Sequence, residues 1–111
     1  MFLLGVVLHR EELLDDVLSL LVESELPDSI VVESRSGLEL LERDLPIFAG
    51  LRSIIPGGGL DFSRLVLCVV EEEEHGMEAL VLIRKLGTEE KPHGEPRNTV
   101  FLVPLSGVEH F

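Results

Sequence analysis

The chain contains no tryptophan and no tyrosine, and phenylalanine is its sole aromatic, at five positions in 111 residues. Covalent modification of a tyrosine is therefore excluded. Basic residues are also few: nine Lys and Arg against twenty-one Asp and Glu, for a formal net charge of −12. A field of that sign repels a polyphosphate backbone and an anionic lipid surface, which argues against both as partners. A single cysteine, Cys68, excludes an intrachain disulfide. It lies inside the apolar run 65–70 and reads as a small buried hydrophobe, since no neighbouring base or helix start is there to activate it.

Long hydrophobic runs are missing as well. Met1 to Leu8 is apolar but has no basic leader, and charge returns at once with Arg10, Glu11 and Glu12. No stretch approaches the roughly 20 apolar residues of a membrane helix. No membrane insertion is expected, and the expected location is the cytoplasm. The length suits one domain over 1–111, and 45% hydrophobic with 27% charged residues is the composition of a globular fold.

Two segments, 2–8 and 65–70, are apolar at successive positions, the pattern of central strands covered on both faces. Between Glu11 and Glu25 the period becomes helical, with Leu14, Val17, Leu18 and Leu21 on one stripe, widened by Leu13, Leu20 and Val22. Pro27-Asp28 closes that helix, and a strand follows around Ile30-Val31-Val32. A second helix runs from the acidic stretch Glu71–Glu74 to Leu86, with Met77, Leu80, Val81 and Ile83 as buried candidates and Gly87 just past its end. A last strand spans 99–105, and Pro104 assigns it to a sheet edge or end.

The order is βαββαβ, which predicts an α+β ferredoxin-like sandwich: a four-stranded sheet with two helices on one face. The connection between the second and third strands is long. Within it Pro46 opens a short extra helix whose Ile47, Phe48, Leu51, Ile54 and Ile55 share a stripe, and Gly57-Gly58-Gly59 stops it. With Arg52, these residues form a candidate partner surface. Two helices leave the sheet's second face apolar and open. Burying it against another copy is worth roughly 10 kcal/mol before the entropy of association is subtracted.

Catalytic constellations are not evident. Asp15 and Asp16 are sequence neighbours and point apart on a helix, so they make a poor acid–base pair. His9, His75, His93 and His110 have no metal-ligand spacing and read as exposed surface residues. No metal site and no cofactor is assigned, and an enzyme is not expected.

Asp15-Asp16-Val17 with Leu21-Val22-Glu23, the stretch Glu33-Ser34-Arg35-Ser36-Gly37, and Val100-Phe101-Leu102-Val103-Pro104-Leu105 together resemble the nitrogen-regulatory PII-like proteins. The segment 45–52 is closer to divergent members. The resemblance implies a homotrimer with sheets facing the three-fold axis and small-molecule sites in the clefts between subunits. Carried onto this chain, the ligand residues are Arg35, Ser36 and Gly37 at the base of the long connection, and Arg97, Asn98 and Thr99 before the last strand. Pro96-Arg97-Asn98-Thr99 stands where the family has a Gly-x-Gly-Lys phosphate loop, so ATP is expected to bind weakly. The expected function is a sensor of a small anionic ligand, with 36–63 as its regulatory surface. The alternatives are a protein-interaction module without a ligand and, less favoured, a metal-binding protein of the related CutA type.

Overall fold

The computed structural model describes residues 1–35, 37, 63–87 and 97–111. Six elements follow in order: β1 (Phe2–Leu8), α1 (Glu11–Glu23), β2 (Ser29–Glu33), β3 (Arg64–Val70), α2 (Glu73–Leu86) and β4 (Thr99–Pro104). They form a four-stranded antiparallel sheet in the order β2-β3-β1-β4 with two helices on one face, the ferredoxin-like arrangement. The strands apolar on both sides, β1 and β3, are the central pair. The expected short helix over 46–55 lies outside the described residues.

Side chains alternate across the sheet. Leu4, Val6 and Leu8 of β1 and Val66, Cys68 and Val70 of β3 point to the helices and are fully buried. They meet Leu13, Val17 and Leu21 of α1 and Ala79 and Ile83 of α2. Positions 13, 17 and 21 recur every four residues, so α1 turns one narrow stripe to the sheet. Val22 lies about 100° away from that stripe and is exposed, contrary to the sequence expectation. Met77 is exposed for the same reason. The α2 residues that meet the core early in the helix are small ones, Gly76 and Ala79. A Cβ on Gly76 would come within 2.8 Å of Leu102 Cδ1, so the glycine lets α2 settle closely onto β4.

The helix ends have physical causes. Glu11 and Glu12 open α1 and Glu73 and Glu74 open α2, each placing negative charge at a helix start. α1 stops at Glu23 because Glu25 adopts a left-handed conformation, φ 62°. The Leu26 amide then donates to the Leu21 carbonyl at 2.8 Å, and the Glu25 amide to Val22 at 3.1 Å. This is a Schellman closure with a buried leucine behind it, and a glutamate where glycine is usual. α2 ends at Leu86 with Gly87 as its cap, as the sequence predicts.

Candidate functional site

The sheet has two ends of opposite charge. β1 finishes, β2 finishes, β3 starts and β4 starts at one end, shown by the pairings Leu8↔Arg64, Glu33↔Arg64 and Val7↔Thr99. α2 also terminates there, since a Cβ on Gly87 would lie 3.9 Å from Asn98 Nδ2. Every Lys and Arg among the described residues consequently falls at that end: Arg10, Arg35, Arg64, Arg84, Lys85 and Arg97. Carboxylates share it, notably Glu11, Glu12 and Glu33. The Arg10 Nε contacts Glu12 Oε1 at 2.8 Å, a surface pair worth about 0–1 kcal/mol. The opposite end holds Glu23, Glu25, Asp28 and Glu71–Glu74 with no described Lys or Arg, only the Met1 amino terminus.

Of the expected ligand residues, Arg35, Gly37, Arg97 and Thr99 are exposed at the arginine end, and Ser36 lies outside the described residues. Arg35 follows β2 and Arg97 precedes β4, so they occupy opposite edges of the sheet. Three strand spacings separate those edges, roughly 14 Å. On one protomer the two guanidinium groups could meet over one small ligand only if both side chains extended toward each other across the end of the sheet.

Asn98 has a structural task. Its Oδ1 accepts the His9 amide at 2.8 Å, tying the start of β4 to the end of β1 across 89 residues. Among the described residues its Nδ2 is buried without a hydrogen-bond partner, and a buried polar group left unpaired costs about 1–3 kcal/mol. On the β2 side, Ser34 and Ser63 form a similar latch: their hydroxyls lie 2.7 Å apart and the Ser34 amide donates to the Ser63 carbonyl at 3.1 Å. Arg64 Nη1 donates to the same carbonyl at 3.0 Å. Neither latch has a periodic or compositional signature. A hydroxyl or amide at the very end of a strand is the signal that could have found them.

At the acidic end a cleft of about 410 Å³ opens between β3 and the helix ends, with Glu25, Asp28, Glu71, Glu72 and His75 on its rim and Cys68 at its base. His75 is half-buried and bonds through Nε2 to the Ser24 carbonyl, which caps an orphan group at the end of α1. The expectation of four plain surface histidines therefore fails at His75, and also at His9, which is half-buried. Burial pushes the Cys68 thiol up from its ordinary value, and the charge of Asp28 adds to the effect. A thiol held protonated in this way is a poor nucleophile. Among the described residues no three His, Cys, Asp or Glu side chains are grouped to hold a metal ion.

The sheet's second face is the other exposed feature. Leu3 and Val7 of β1, Leu65, Leu67 and Val69 of β3, Ile30 and Val32 of β2, and Phe101 and Val103 of β4 all point there. No described helix or strand covers it. The Phe101 ring lies directly on Gly5: a Cβ on that glycine would sit 2.1 Å from Phe101 Cζ. The ring fills the place of the missing side chain and keeps the centre of the face level. The candidate partner residues Ile47, Phe48, Leu51, Arg52, Ile54 and Ile55 lie outside the described residues. None of the described helices is long and apolar enough to cross a membrane.

No family model and no curated protein matches the chain. Among solved structures it is similar to a functionally unknown protein from Pediococcus pentosaceus ATCC 25745, with a TM-score of 0.57 over 99% of this chain and 95% of that one. At 14% identity that likeness speaks for the fold alone.

Proposed function

We propose that the protein is a PII-like regulatory subunit. It assembles as a homotrimer through the open sheet face, and a small anionic ligand bridges Arg97 of one copy and Arg35 of the next. The exposure of these two arginines on opposite edges of one end supports the reading most directly, because a neighbouring copy can then bring its own Arg35 beside Arg97. The apolar second face supplies a reason to associate. The connection 36–63 leaves the sheet beside Arg35 and serves as the surface that reports the bound state. The protein binds and signals in this reading, without catalysing a reaction, and works in the cytoplasm. Native mass spectrometry tests assembly, with an expected mass of three chains of 12.3 kDa or a whole multiple of that trimer. Calorimetry with inorganic phosphate, small dicarboxylates and ATP tests the ligand. Binding of one of the smaller anions that is lost in both Arg35→Ala and Arg97→Ala is the expected result, with ATP weak. A monomer that binds none of them would refute the reading.

A protein-interaction module without a ligand is the second reading. It is favoured by one observation: Asn98, expected to meet the ligand, already holds the His9 backbone. A trimer that ignores every anion but is retained by a target protein would select it.

A further inference from the structure

β2 is bare on three sides. Ile30, Val31 and Val32 are 63%, 41% and 40% exposed, although Val31 points to the helix side and the other two to the open face. Its inner edge pairs with β3, and its outer edge pairs with no described strand. Exposed apolar edges are normally blunted by lysine, proline or a bulge, and Ser29–Glu33 contains none of these.

The backbone fixes which groups that outer edge offers. Ser34 donates its amide to Ser63 of the neighbouring strand, and in an antiparallel ladder alternate residues turn the same way. Residues 30, 32 and 34 therefore face β3, and residues 29, 31 and 33 face outward. The Ser29 amide is taken by the Pro27 carbonyl at 3.0 Å. Outward donors remain at Val31 and Glu33, and outward acceptors at Ser29, Val31 and Glu33.

We propose that this edge pairs antiparallel with β2 of a second copy, with Val31 opposite its own counterpart on a two-fold axis. In that register the two Val31 residues exchange two main-chain hydrogen bonds. Each Glu33 amide reaches the Ser29 carbonyl across the axis. Ile30 stands opposite Val32, giving apolar cross-strand contacts, and Ser29 stands opposite Glu33. Moving the axis to Val32 would oppose Val31 to Glu33, and moving it to Ile30 would oppose Val32 to Asp28. Centring on Val31 avoids both. It also stands Arg35 of each copy opposite Pro27 of the other, one residue from Asp28 along that chain. The arginine end of each domain thus lies against the acidic end of its mate, a charge match that offsets the repulsion of two chains of net charge −12. A two-fold interface is self-complementary by construction, and this strand meets that condition residue by residue. The pairing uses the sheet edge, so it depends on neither the open face nor the anion-binding reading.

Two measurements on the full chain test it. Amide exchange by NMR, at low and high protein concentration, should show the Val31 and Glu33 amides slowing with concentration while those of Ile30 and Val32 stay unchanged. Sedimentation equilibrium should show Val31→Pro halving the assembly mass, since proline removes an outward donor and leaves the bonds to β3 intact. Arg35→Glu should weaken the same assembly, and Asp28→Arg added to it should restore it. Exchange at 31 and 33 that is independent of concentration would overturn the proposal. So would a folded Val31→Pro with the wild-type mass, or protection that arises only when a different protein is added.

Discussion

β2 and β4 are both edge strands of the same sheet, yet they are built for opposite ends. β4 is held along its inner side and under the helices: Leu102 packs under α2, Phe101 lies on Gly5, Asn98 grips the His9 backbone and Pro104 closes the strand. β2 has a latch at one terminus, Ser34 with Ser63, and three exposed β-branched residues along its length. The helices pack over β1, β3 and β4. The difference shows how a two-helix layer on a four-stranded sheet divides its edges into one that stabilises the fold and one left for contact.

Substitutions can break that contrast, beginning with the largest effect. Removing the ring in Phe101→Ala should cost about 3 kcal/mol, read from chemical unfolding at a protein concentration where assembly is absent. Gly5→Ala should cost about 1–3 kcal/mol through overpacking under the same ring. Combined, the two should cost clearly less than their sum, because the new methyl occupies the space the ring vacates. Additive effects would show that the ring does not rest on the glycine. Cutting the latch in Asn98→Ala should cost about 1 kcal/mol, while Arg97→Ala at the exposed neighbouring position should stay within about 0.5 kcal/mol of wild type. Equal losses in both variants would remove the latch from the account of β4. Last, Ile30→Thr on β2 should shift protomer stability by under about 0.5 kcal/mol. A loss of 2 kcal/mol or more, roughly what a buried side chain yields, would mean that β2 is as well supported as β4.

Much of the architecture was legible because burial writes itself into the order of residues. Strands 2–8 and 64–70 are apolar at nearly every position, which is what a central place between two layers demands. Gly87 marked the end of α2 for the usual conformational reason. The end of α1 was less legible, since a glutamate in a left-handed conformation carries no compositional mark; Glu25→Gly should stabilise the protein by about 0.5–1 kcal/mol in thermal melting. The exposure of Val22 and Met77 also escaped the sequence, because a wide apolar stripe does not tell which residues face the sheet. On α2 the close approach is made by Gly76 and Ala79, residues that hydrophobic patterning passes over. For the candidate site residues, strand order puts Arg35 and Arg97 at one end of the sheet, and their placement on opposite edges follows only from the topology. The Asn98–His9 contact joins residues 89 apart in the chain, and no local pattern encodes it.

The uneven placement of charge among the described residues also gives the sheet a direction. Seven carboxylates gather at one extremity of the described fold, Glu23, Glu25, Asp28 and Glu71 to Glu74, and the arginines gather at the other. Among the described residues, a positively charged surface such as an anion-exchange resin finds its strongest attraction at the carboxylate extremity, while Arg35 and Arg97 lie at the far one.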